Sequence, residues 1–180
     1  MKICINGGHC PGEDSGAVGA TGLQEAVVAR DIMKRVACFL RAVGYDVLEV
    51  QENELYQITN ASNVFGADLF MSIHCNAAGN TEAKGTETWY CNGSIGGEKL
   101  ATCIQSQIVN ELAMVDRGIK NATPHVNGLY VLSNTDAVAV LVETAFISNA
   151  EDEALLADEG KRDQIAAAIA RGITDYVGGM

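Results

Sequence analysis

Along these 180 residues the apolar pattern keeps switching between a period of two and one of about 3.6. That alternation restricts the fold more than any single motif. "KICIN" (2–6) is a short strand that runs into a long glycine-rich stretch, "GGHCPGEDSGAVGATG". "LQEAVVARDIMKRVACFLRAVG" then sets Leu23, Val27, Val28, Ile32, Val36, Phe39, Leu40 and Val43 on one helical stripe. Gly44 ends it as a C′ residue should. "YDVLEVQ" (45–51) predicts a strand, residues 54–66 a helix, and "LFMSIHCNAAG" (69–79) begins as a buried strand. "GTETWYC" (85–91) alternates as an exposed strand, 95–114 is helical, "LYVL" (129–132) is a short strand, and "AVAVLVETAF" (137–146) is an apolar one. "NAEDEALLAD" and "GKRDQIAAAIARGITDYV" close the chain as helices. Strand–helix–strand repetition of this kind implies an α/β three-layer sandwich. Its centre is a mostly parallel twisted sheet of about six strands, flanked by helices. No linker or internal repeat interrupts the pattern, so residues 1–180 are expected to form one domain.

Composition narrows the function classes. A formal charge of −11 opposes nucleic acid as a partner, because phosphate binding needs clustered Lys and Arg. No apolar run approaches a membrane span. The start, "MKICINGGHC", has one lysine and a short apolar stretch before glycines, which does not fit a signal peptide. Synthesis in the cytoplasm is therefore the expectation. Of the six cysteines, Cys4, Cys38 and Cys103 sit inside apolar patterns, where a free thiol behaves as a small hydrophobe. No Cys-x-x-Cys pair offers a zinc ribbon or a thioredoxin motif.

The informative residues are polar ones placed where an apolar residue would pack better. Open α/β sheets bind ligands outside the carboxyl ends of their strands. His9 follows the first strand, His74 ends the third, and Glu143 lies late in "AVLVETAF". Glu25 sits in the first turn of the first helix, which starts at the same edge. Alone, each has an ordinary explanation. Glu25 is a first-turn carboxylate favoured by the helix dipole, His9 supports a turn, His74 is a satisfied core histidine, and Glu143 pairs with a distant Lys or Arg. Four such side chains from four elements on one rim point instead to chemistry. Two imidazoles and one carboxylate make a catalytic zinc set with a fourth position left for water. A further carboxylate must then take the water's proton, and Glu143, buried among Val140, Leu141, Val142, Ala145 and Phe146, is placed for that. Asn76 and His125 are further candidates, for substrate contact, and each also fits a plain turn or loop residue. Cys10 and Cys75 adjoin the candidate ligands, but along a strand Cys75 points away from His74. The glycine-rich stretch lacks both the Gly-Lys-Ser/Thr ending of a P-loop and the register of a dinucleotide turn.

Taken in order, "GGHCPGEDSGAVG", "GLQEAVVARDI", "ASNVFGADLFMSIHCNA", "GTETWY", "RGIK", "LYVL" and "AVLVETAFISNAEDEALL" resemble the zinc-dependent N-acetylmuramoyl-L-alanine amidases. More narrowly, they resemble the catalytic-domain family shared by autolysins, spore-lytic amidases and phage endolysins. The resemblance covers nearly the whole chain. It implies a single zinc ion held by His9, Glu25 and His74, with Glu143 as the catalytic acid/base. It also implies peptidoglycan as substrate, cut at the amide between the lactyl group of N-acetylmuramic acid and the L-alanine of the stem peptide. Two departures stand out. The family often reads Gly-His-Gly-Gly after its first strand, where this chain has His9-Cys10-Pro11-Gly12, and it often has alanine at the position of Cys75. Without a signal peptide, the chain is expected to reach the wall after release from the cell or as part of a longer protein. Its negative charge predicts no electrostatic pull toward an anionic wall. Two rival readings remain at this level: a zinc peptidase acting within the stem peptide, and a non-catalytic glycan- or nucleotide-binding α/β domain.

Overall fold

Ile3, Cys4 and Ile5 are fully buried, as consecutive residues of a parallel strand covered on both faces must be. They form the centre of β1 (Lys2–Gly7). In the computed structural model, which describes residues 1–179, β1 lies between β2 (Asp46–Val50) and β3 (Leu69–Asn76), parallel to both. β3 pairs in parallel with β6 (Val138–Phe146). β4 (Thr86–Cys91) then runs antiparallel to β6, and β5 (Asp116–Ala122) parallel to β4. The order across the sheet is β2-β1-β3-β6-β4-β5. This is the α/β sandwich expected from the alternating pattern.

Alternation along each strand sorts side chains onto two faces. Ile3, Ile5, Met71, Ile73, Val140 and Val142 face the layer of α1 (Glu25–Ala42), α3 (Ile95–Leu112) and α6 (Glu159–Gly178). Cys4, Phe70, Ala139 and Leu141 face α2 (Leu55–Phe65) and the one-turn α4 (Tyr130–Ser133). α5 (Ala150–Ala157) follows β6 directly, capped by the Asn149 side chain, which accepts from the Glu151 and Asp152 amides. Burying each large aliphatic side chain contributes about 1.5–3 kcal/mol, so the two layers hold the sheet from both sides. Among the described residues no helix is long and apolar enough to cross a membrane.

Local readings of the chain fail in four places. "LYVL" is helical, not a strand: both Val131 and Leu132 are buried, and a four-residue apolar run does not distinguish the two states. The sixth strand is instead β5, "DRGIKNA", an edge strand whose polar composition hides it. β4 is not exposed; Thr86, Glu87 and Thr88 are buried, because β5 extends the sheet beyond β4 and α3 packs over it, with Gln105 bonding the Thr88 hydroxyl and the Thr86 carbonyl. On α1, Val27 points to solvent and Cys38 is exposed, as is Val43 at the C-cap, while Ala26, Ala29, Met33 and Ala37 complete the buried stripe. The C′ glycine is as expected, with Gly44 at φ 93°.

Candidate metal centre

Because β1, β3 and β6 are parallel, their carboxyl ends share one rim of the sheet. β1 delivers the loop that begins at Gly8, and His9 adopts a left-handed backbone at φ 59°. Such a conformation is costly for a residue with a Cβ and persists only where its surroundings impose it. The surroundings here are hydrogen bonds. Cys10 and Asp14 pair across a tight turn, Nδ1 of His9 meets Oδ2 of Asp14 at 2.6 Å, and Nε2 of His9 meets Oε2 of Glu25 at 3.2 Å. His74 approaches from β3, its Nδ1 2.9 Å from Oε1 of Glu25. The imidazoles stand edge to face with centroids 5.2 Å apart. The candidate ligand atoms of His9, Glu25 and His74 all lie within 4.8 Å of one another.

Two glycines make this approach possible. A Cβ on Gly8 would lie 2.4 Å from the His74 ring, and one on Gly16 would lie 2.5 Å from His9 and 2.6 Å from Oε2 of Glu25. Both contacts are too close for any real Cβ, so the glycine-rich stretch serves to let two imidazoles and a carboxylate converge. Glu25, the first residue of α1, is buried, and its carboxylate also accepts from the Ala17 and Cys75 amides. Burial opposes its ionisation, but the hydrogen bonds to His74 and His9 outweigh it and hold the carboxyl well below the usual range. The same contact with Glu25 lifts His9 to about 9.

The donor set fits a zinc ion. Two imidazole nitrogens and one carboxylate oxygen, converging from three elements, are the number and kind that a catalytic zinc site uses while keeping a fourth position open. Asp14 holds His9 at Nδ1 and leaves Nε2 toward the cluster, the arrangement by which a carboxylate orients a histidine in zinc sites. The Cys75 side chain lies on the opposite face of the sheet, and burial pushes its thiol far above the ordinary range, so it does not join the cluster.

Glu143 on β6 is the register partner of His74 and points to the same face. The residue is half-buried, but Oε2 of its carboxylate is sealed from solvent and has no hydrogen-bond partner among the described residues. Burial raises its pKa to about 7, an effect that the facing imidazole of His74 partly offsets. Asn76 is engaged elsewhere: its amide donates to Oε1 of Glu87 at 3.1 Å, and its own oxygen accepts from the Ala77 amide. His125, at φ 63° in an exposed loop, is not brought to the cluster; it lines a neighbouring cavity with Tyr130 and Asn134. A separate cavity of about 330 Å³ opens beside His9 and His74, with Asp14 and Glu52 among its walls and apolar surface from Leu55, Leu129 and Val131.

Three residues of this region escape sequence reasoning: Asp14, Glu87 and Arg117. Asp14 carries only the faint signal of an acid five residues after a histidine in the same loop. Glu87 and Arg117 lie within "GTETWY" and "RGIK", but nothing local gives either a role, because each belongs to a strand whose place in the sheet is invisible along the chain.

Fold and site together define an α/β-sandwich protein with a His/Glu/His centre and a sealed carboxylate beside it. The N-acetylmuramoyl-L-alanine amidase family model matches residues 3–175, and the chain belongs to that family. It is 38% identical over 180 residues to N-acetylmuramoyl-L-alanine amidase LytC of Bacillus subtilis, covering 97% of this chain and 35% of that protein. The chain thus spans about a third of LytC. Among solved structures, N-acetylmuramoyl-L-alanine amidase AmiC2 of Nostoc punctiforme superposes with a TM-score of 0.91 at 32% identity, covering 99% of this chain and 97% of that one. The catalytic domain of CwlV, an N-acetylmuramoyl-L-alanine amidase from Paenibacillus polymyxa, gives 0.90 at 29% identity, covering 100% and 99%.

Proposed function

We propose that this chain is a zinc-dependent peptidoglycan hydrolase whose residues 1–180 form one catalytic domain. It cleaves the amide between N-acetylmuramic acid and the L-alanine of the stem peptide. The observation that carries this reading is the meeting of His9, Glu25 and His74 beside a carboxylate oxygen of Glu143 that no group among the described residues satisfies. An unpartnered buried carboxylate costs several kcal/mol, and a purely structural role gives no return for it.

When bound, a zinc ion polarises the amide carbonyl and lowers the pKa of water toward about 7. The residues of the chain do the rest. Asp14 fixes the ring of His9, and the Ala17 and Cys75 amides fix Glu25, so the ligand set is held before metal or substrate arrives. Glu143 takes one proton from the attacking water as the new carbon–oxygen bond forms. As the carbon–nitrogen bond breaks, it passes that proton to the departing alanine nitrogen. A pKa near 7 suits a group that must both accept and donate within one turnover. Asn76 acts at one remove, by holding Glu87.

The test compares wild type with Glu143→Gln and His74→Ala on purified peptidoglycan. Wild type should release free peptides beginning with alanine and leave unsubstituted lactyl groups, both read by mass spectrometry. Fragments cut within the stem peptide would make it a peptidase instead. Glu143→Gln should keep its metal and lose turnover, whereas His74→Ala should lose the metal. Full zinc occupancy in His74→Ala would contradict ligation.

A further inference from the structure

Beyond Glu143 the rim continues onto β4 and β5. Because β4 runs antiparallel to β6, its second residue, Glu87, comes to this rim as the register partner of Glu143. β5 is parallel to β4, so Arg117, at its start, reaches the same end of the sheet. Nε of Arg117 donates to Oε2 of Glu87 at 2.8 Å, and its guanidinium carbon lies 4.7 Å from the centroid of Phe146. Glu87 is buried, and its other oxygen is served by Asn76 and Trp89, each at 3.1 Å. The Arg117 side chain, in contrast, is 36% exposed, and its two terminal nitrogens have no acceptor among the described residues.

We infer that Arg117 anchors a carboxylate on the departing peptide, with Glu87 and Phe146 as its positioning residues. This rests on the amidase reading above and adds a substrate contact to it. The direction follows from proton delivery. Glu143 gives its proton to the leaving nitrogen, so the peptide side of the scissile bond lies on the Glu143 side of the centre, toward Glu87 and Arg117. The acyl side then faces the cavity beside His9 and His74, where Asp14 and Glu52 would repel an anionic peptide. A planar guanidinium, held at Nε and stacked on a ring, presents its outer pair of nitrogens as a fixed fork matched to a carboxylate. Neutralising Glu87 needs only one donor, which a lysine would supply; the fork is surplus to that task.

Two synthetic muramoyl-L-alanyl substrates separate the possibilities, one carrying a free carboxylate on the next residue of the peptide and the other the matching carboxamide. Wild type should prefer the carboxylate by about tenfold or more in kcat/KM, the scale of one charge-assisted contact. In Arg117→Lys, which keeps the charge beside Glu87, that preference should fall to within about twofold, the loss entering through KM. A purely structural Arg117 predicts equal treatment of the two substrates by wild type, or a preference that survives in Arg117→Lys; either result overturns the inference. A measurement on wild type alone covers the case in which the variant does not fold. Titrating in the released peptides should move the Arg117 Nε resonance with the carboxylate form and not with the carboxamide, and movement with both or with neither overturns the inference. Cleavage of neither substrate would overturn the amidase reading and this inference with it, whereas equal cleavage of both overturns this inference alone.

Discussion

Glu143 and Glu87 face each other across β6 and β4, two acidic side chains at one register position on one face of the sheet. Their surroundings differ completely. Glu87 is met by Asn76 and Trp89 on one oxygen and by Arg117 on the other. Glu143 keeps one oxygen sealed and, among the described residues, unpartnered. Burial alone therefore does not mark a working carboxylate, because both would qualify. What separates them is satisfaction: a fully partnered acid holds structure together, and a deprived one is ready to bind a proton.

The most direct way to break this comparison is to neutralise each acid in turn. Glu143→Gln should lower turnover by about 10²- to 10⁴-fold, the usual worth of a positioned acid/base. Its urea midpoint should not fall, since no hydrogen bond is lost at the sealed oxygen. Glu87→Ala should behave oppositely in stability, costing about 1–3 kcal/mol by urea unfolding, because it strands two half-buried donors and removes the partner of a half-buried guanidinium. If Glu143→Gln proved the more destabilising of the two, the contrast would be wrong.

A subtler test uses pH on the metal-free protein. With Glu143 raised to about 7, the folded chain binds more protons than the unfolded one between roughly pH 4.5 and 7. The contribution of Glu143 to stability is thus fully present below the unfolded value and is lost as pH rises through the folded one. The loss is on the order of 3 kcal/mol, and Glu143→Gln should remove it, as the difference between the two unfolding curves across that window will reveal. His9 moves in the same direction at higher pH: raised to about 9 by Glu25, its contribution is lost between about 6.5 and 9. It is common to both proteins and cancels in the comparison. The smallest effect belongs to His125, exposed and away from the cluster. His125→Ala should change stability by no more than about 0.5 kcal/mol and turnover on short substrates by no more than about twofold.

The candidate centre was unusually legible along the chain, and the reason is physical. A histidine closing an apolar strand and a glutamate inside "AVLVETAF" violate the packing preferences of their own segments, so each advertises itself locally. Parallel strands put such residues on one rim whatever the details of packing. Asn76 was legible only as a candidate, and its partner, Glu87, could not be foreseen. "GTETWYC" alternates like an exposed strand, and nothing within it announces that β5 will cover its edge.

What the sequence alone determined was the layered α/β plan and the rim on which His9, Glu25, His74 and Glu143 gather. Both follow from periodicity and strand direction, which are properties of short stretches. Only the tertiary structure decided that β5 is a strand and "LYVL" is not, that Asp14 steadies His9, and that Glu87 is satisfied while Glu143 is not. Those outcomes depend on how the loops and strands settle in space, as when Arg117 reaches Glu87 from 30 positions away. A buried charge is paired or unpaired only once the sheet has closed around it, because the free energy of a carboxylate is set by its neighbours in space.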